Sequence, residues 1–84
     1  SRSALRVSMI YQSQKKFQAQ LNYRGKIYTV SNGESIPSLG KVVHIDNKQV
    51  VMKRENKILS YPAPGTARQD ALEISAEDFK RGKI

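Results

Sequence analysis

Three short alternating segments, residues 41–46, 49–54 and 57–61, follow one another with only two residues between each. Side chains alternate across a strand, so a hydrophobic period of two marks a half-buried sheet. In 41–46, Val43 and Ile45 are expected to face inward, with Val42, His44 and Asp46 on the polar side. In 49–54 the inward residues are Val50 and Met52, and in 57–61 they are Leu59 and Tyr61, or Ile58. Asn47-Lys48 and Glu55-Asn56 are all that remains for the connections, which makes them tight hairpin turns.

The same pattern extends upstream. Over Leu5–Ser13 the residues Leu5, Val7, Met9 and Tyr11 share one face, while Arg6, Ser8, Ile10 and Gln12 share the other. Ser13-Gln14-Lys15-Lys16 is a polar turn. Residues 17–23 alternate most cleanly, with Phe17, Ala19, Leu21 and Tyr23 against Gln18, Gln20 and Asn22. Arg24-Gly25 turns the chain into 26–31, where Tyr28 and Val30 face in. Asn32-Gly33, Pro37 and Gly40 mark one long loop, inside which Ile36 and Leu39 are expected to tuck against the sheet. The expectation is an all-β domain: a small antiparallel β-sandwich or half-barrel of about six strands, in up-and-down order broken once by the 32–40 crossover.

Pro62-Ala63-Pro64-Gly65 should end the sheet, because proline cannot donate to a ladder and restricts its neighbour. The β-domain is therefore assigned to residues 1–64 and a C-terminal tail to 65–84. Within the tail Ser75 precedes Asp78 by three residues, an N-capping arrangement, and Lys80 and Arg81 follow. The tail reads as a short helix docked through Ala71, Leu72, Ile74 and Phe79, or as a disordered segment.

At 84 residues the chain is near the lower limit for a self-sufficient core. It has no cysteine, which removes disulfide frameworks and thiolate zinc sites. No stretch approaches the roughly 20 apolar residues of a membrane span. Ser1-Arg2-Ser3 reads as the start of a mature or trimmed fragment, compatible with removal of a targeting or anchoring segment. The formal charge of +8 is unevenly placed. Residues 1–16 carry Arg2, Arg6, Lys15 and Lys16 with no acid, residues 17–57 carry seven bases against three acids, and the rest balances. Such a field favours an acidic partner, whether protein, nucleic acid or lipid headgroup.

No catalytic, cofactor or metal motif is present. His44 has no second histidine or cysteine to work with, only Asp46, and reads as a solvated strand residue. Glu34, Asp46 and Glu55 lie in or beside turns, and turn chemistry explains them. No serine sits in a nucleophile elbow, and Asn32-Gly33 is a turn signal rather than a phosphate loop. The run Lys53-Arg54-Glu55-Asn56-Lys57 resembles a nucleic-acid contact at a hairpin tip, with Tyr11, Tyr23 and Tyr28 as a stacking platform. Those tyrosines fall on the apolar face, however, and the run then reads as a solvated charged turn.

Residues 17–61 resemble the periplasmic domain shared by the PilP proteins of type IV pilus systems and the homology region of the GspC proteins of type II secretion. The resemblance is one of spacing: a strand, then a tyrosine-containing strand leading into a G-[DE]-x-[IL] turn, then three further short strands. Here it runs Phe17-Gln18-Ala19-Gln20-Leu21-Asn22-Tyr23, Lys26-Ile27-Tyr28-Thr29-Val30 and Gly33-Glu34-Ser35-Ile36-Pro37. Gly40-Lys41-Val42-Val43-His44-Ile45-Asp46, Gln49-Val50-Val51-Met52-Lys53-Arg54 and Lys57-Ile58-Leu59-Ser60-Tyr61 complete it. Leu5–Tyr11 extends the match, 65–84 lie outside it, and the short basic first strand and charged tail most resemble the type IVb branch.

The resemblance implies a compact periplasmic β-domain on an inner-membrane assembly protein, attached through a segment outside this sequence. It implies docking onto the N-terminal periplasmic domain of an outer-membrane secretin, with other inner-membrane platform proteins as further partners and no nucleic acid or cofactor. The partner-binding residues expected on the terminal strand are Arg6, Ser8 and Ile10, an apolar side chain beside a cation on the polar face. The competing reading is a small SH3-like or KOW-like barrel that binds RNA or DNA. Gly40-Lys41-Val42-Val43-His44-Ile45 followed by Gln49-Val50-Val51-Met52 fits that module too, and its weakness is the lack of outward aromatics.

Overall fold

The computed structural model describes residues 4–84; Ser1-Arg2-Ser3, read above as a fragment start, lie outside the described residues. Eight strands and one helix follow in order: β1 Leu5–Ser13, β2 Lys16–Tyr23, β3 Lys26–Ser31, β4 Ser35–Ile36, β5 Gly40–Ile45, β6 Gln49–Arg54, β7 Lys57–Pro62, β8 Leu72–Ile74 and α1 Ala76–Lys80. They form two antiparallel meanders, β1-β2-β3 and β4-β5-β6-β7-β8. The all-β antiparallel fold is therefore as expected, the tail takes the short-helix form of its two readings, and the break between the sheets falls in the 32–40 segment. The six anticipated strands are present within a residue or so of their expected ends. The two additional ones are β4, inside the crossover, and β8, inside the tail.

The turns follow local chemistry. Gln14 and Lys15 have φ of 51° and 67°, and Arg24 and Gly25 have 52° and 88°, so each pair adopts the doubly left-handed turn that suits strand twist. Asp46 accepts from the backbone N–H groups of Lys48 (2.7 Å) and Gln49 (3.1 Å) and so builds the β5–β6 turn with its own carboxylate. Gly40 has φ of 120°, and a Cβ there would lie 2.6 Å from the Lys53 carbonyl oxygen, so only glycine lets β5 begin this close to β6. Beyond β7, Ser75 caps α1, its hydroxyl accepting from Asp78 N at 3.0 Å.

Between the sheets lies one core, built on Leu5, Val7, Ala19, Leu21, Val30, Ile36, Leu39, Val42, Ile45, Val50, Met52 and Tyr61. Ile36 and Leu39 are tucked in as expected. Two β-bulges change which residues reach this core. In β1 the register slips between Val7, opposite Leu21, and Met9, opposite Gln20. The extra residue, Ser8, reverses the alternation beyond it. Met9, expected inside, is 47% exposed; Ile10, expected outside, packs against the core. Tyr11, also expected inside, pairs with Gln18 on the outer row. In β5 the slip falls between Val42 and His44, so Val42 is fully buried while Val43, the expected core residue, is the half-buried bulge.

Strand β6 is buried on both faces, Gln49 through Met52. Val50 and Met52 meet the main core, and Val51 lies on the opposite face of the sheet, fully buried. The segment after β7 returns over that opposite face: β8 pairs with β7, and Ile74, Lys83 and Ile84 line a cavity together with Gln49 and Ser60.

Candidate docking surface

The outer face of the three-stranded sheet can be read from its register. Its rows are Arg6–Asn22–Ile27, Met9–Gln20–Thr29 and Tyr11–Gln18–Ser31. Two exposed apolar side chains, Met9 and Ile27 (50% exposed), are set among amides and hydroxyls, with the exposed Arg6 in the same row as Ile27. The face is otherwise knitted locally, Gln18 donating to the Ser31 hydroxyl at 3.0 Å. Of the three residues expected to bind a partner, Arg6 and Ser8 are exposed on β1 and Ile10 is not, because the bulge turns it inward. Met9 takes the place expected for Ile10. The missed signal is the spacing Leu5, Val7, Ile10, two steps and then three, which one extra residue in the strand would produce.

Beside this face, Arg6 and Val7 border a cleft of about 450 Å³ whose far wall is the chain from Tyr61 to Ala71. The aromatic rings nearby carry cations: Arg24 lies over Tyr23, 5.2 Å from the ring centroid, and Lys26 over Tyr28 at 5.1 Å. Both tyrosines also pack against the core, so neither offers a free face for base stacking.

The polar residues of the five-stranded sheet form a chain of hydrogen bonds. His44 Nε2 is 2.8 Å from Asp46 Oδ2, which also accepts from Gln49 Nε2 at 3.2 Å. The Ser60 hydroxyl donates to Gln49 Oε1 at 2.5 Å, and Arg68 Nη2 donates to Ser60 Oγ at 2.7 Å. Arg68 Nη1 reaches the carbonyls of Ser60 (3.0 Å) and Asp70 (2.9 Å). Histidine, aspartate and serine thus share a network without forming a nucleophile–base pair, because the serine hydroxyl is spent on Gln49. Burial raises the Asp46 pKa, but the Lys48 N–H, His44 and Gln49 together outweigh that, and its carboxyl sits below its ordinary value. Among the described residues no buried side-chain polar atom lacks a partner. The arrangement locks the β5–β6 turn and the returning segment onto β7.

Among the described residues, no three His, Cys, Asp or Glu side chains are grouped as metal ligands would be, and no helix is long and apolar enough to cross a membrane. The only ion pair among them is His44–Asp46, so no lysine or arginine is neutralised by a carboxylate. Comparison with protein-family models, curated proteins and solved structures found no match to this chain.

Proposed function

We propose that this domain is a non-enzymatic assembly module of a type IV pilus or type II secretion machine. It works in the periplasm, beside other inner-membrane platform proteins, and docks onto the N-terminal domain of an outer-membrane secretin. The observation that carries the reading is the outer face of β1-β2-β3, where Met9 and Ile27 stand exposed on the same face as an unpaired Arg6 on the edge strand β1. Scattered single apolar residues are ordinary on a surface. Two on one small sheet face, ringed by hydrogen-bonding amides and a cation, have the make-up of a modest protein interface. The spacing likeness to PilP and GspC domains over residues 17–61 supplies the partner class.

Calorimetry with an isolated secretin N-terminal domain tests this. Met9→Asp with Arg6→Glu alters only exposed side chains, so the fold should persist while binding is lost. Undiminished affinity of the folded double variant would place the contact elsewhere. Nucleic-acid binding, if any, should be weak and disappear with salt, because it rests on diffuse charge. Tight, sequence-selective binding in fluorescence anisotropy at physiological salt would favour the barrel reading instead.

A further inference from the structure

The β5–β6 register sets Lys41 opposite Lys53, and the β6–β7 register sets Arg54 opposite Lys57. Like charges directly across a strand pair are destabilising, with Cβ atoms only about 5 Å apart. The fold nevertheless places two such pairs at one end of the five-stranded sheet, on its two opposite faces because Lys53 and Arg54 are consecutive in β6. All four side chains are exposed, and none has a carboxylate within ion-pair distance. They border two adjoining clefts, of about 410 and about 560 Å³, which share Ser38, Arg54 and Glu55. Lys41 and Lys53 line the first, Lys57 the second, and Arg54 both. Glu55 is the single carboxylate among the lining residues.

We propose that this end of the sheet is a docking site for an acidic protein segment that passes around the β6–β7 turn, its side-chain carboxylates meeting the Lys41–Lys53 pair on one face and the Arg54–Lys57 pair on the other. The reading is independent of the secretin proposal. The Arg6 cleft is bordered by Pro62 at the last residue of β7 and this site by Lys57 at the first, about 17 Å away along the strand. Three features favour carboxylates on a peptide. The clefts have no aromatic lining on which bases could stack. The exposed large apolar residues Met9, Ile27, Leu72 and Ile84 line neither cleft, so nothing here would insert into a bilayer. The cations are solvated and spread across three strands, which suits several weak contacts from one chain better than a single enclosed anion.

The test is fluorescence anisotropy of the full chain with fluorescein-labelled hexaglutamate at low ionic strength. Lys41→Gln with Arg54→Gln should weaken binding about tenfold, the sum of two exposed charge contacts. Lys15→Gln with Lys16→Gln removes the same charge from the β1–β2 hairpin and should change it less than about twofold. Lys53→Gln with Lys57→Gln repeats the test on the other member of each pair, and circular dichroism confirms that each variant is folded. Equal loss in the site and hairpin variants, or no binding by the unaltered chain, would overturn the proposal. Tighter binding of oligothymidylate or of phosphatidylglycerol vesicles than of hexaglutamate would also overturn it, in favour of a nucleic acid or a membrane.

Discussion

Arg68 is the residue on which attachment of the C-terminal segment should turn. Its guanidinium makes three hydrogen bonds, two to Ser60 and one to the Asp70 carbonyl, and so joins β7 to the chain that leads into β8. Ser60 is 1% exposed, so what Arg68 meets is a buried group. A hydrogen bond to a charged partner is worth about 1.5–3 kcal/mol when dry. Arg68 is itself half-buried and lines a cavity of about 500 Å³, where water can replace part of what it provides. Arg68→Ala should therefore cost about 2 kcal/mol in total rather than the sum of three such bonds. For a domain of this size that lowers Tm by about 8–16 °C.

Urea denaturation and hydrogen exchange provide the assays. The amides of Leu72–Ile74 should lose protection, while those of β1, β2 and β3 keep theirs relative to global unfolding. Arg68→Lys should recover little, because a single ammonium cannot span the Ser60 carbonyl and hydroxyl as the planar fork does. In a double-mutant cycle with Ser60→Ala the coupling should be about 1 kcal/mol. A cost below about 0.5 kcal/mol for Arg68→Ala, or strictly additive singles, would refute the clamp.

Other substitutions probe the core, the bulges and the turn. Leu21→Ala, at a fully buried site, should cost about 2–5 kcal/mol in chemical denaturation, and Ile10→Ala should cost clearly more than Met9→Ala, which stays within about 0.5 kcal/mol. Equal effects at 9 and 10 would mean that β1 has no bulge. Gly40→Ala should lose at least about 2 kcal/mol through its φ of 120° and the contact with the Lys53 carbonyl; a neutral result in thermal melts would contradict that geometry. Because the Asp46 carboxyl is held below its ordinary value in the folded chain, its contribution is complete above the unfolded value of about 3.9 and is lost as pH falls through the lower folded value. Asp46→Asn keeps an oxygen for the turn and should flatten that acid limb in pH-dependent melts; an unchanged slope would assign it to other carboxylates.

The hairpins were legible because their information is local. Gln14-Lys15, Arg24-Gly25 and Asp46 each fix a turn by short-range chemistry, and alternation fixes the strands between them. Faces on the two sides of an irregularity were not. A bulge adds one residue, so one alternation cannot hold on both sides of it. In β1 the positions after it are inverted and Met9 and Ile10 exchange places. In β5, by contrast, Ile45 after it faces in as expected and Val42 before it takes the core place expected of Val43. The cause lies in the partner strand. Ile10 opposite Ala19 completes a core row that strict alternation would have given to Met9. The returning segment was half legible. Ser75 and Asp78 announced α1, but β8 is three residues long and exists by pairing with β7. Gln49-Val50-Val51-Met52 did carry a clue, since a strand apolar on consecutive positions needs cover on both faces. The Gln49–Ser60–Arg68 chain joins residues 8 to 11 positions apart, and no motif encodes it.

Charge and stability are separable in this domain, and that separation bears on function. Among the described residues no lysine or arginine is matched with a carboxylate, yet two cross-strand pairs set like charges side by side. The folded state therefore gathers cations that the unfolded chain would hold further apart. Screening should relieve that repulsion, so moderate salt should raise the unfolding midpoint slightly. The same screening should weaken any complex made through Arg6 or through the Lys41–Lys57 cluster. Opposite salt dependences of folding and of binding would mean that the charge is maintained against stability, which is reasonable only if partners use it. A midpoint that falls with added salt would show instead that the cations support the fold, and the case for an acidic partner would lose its physical basis.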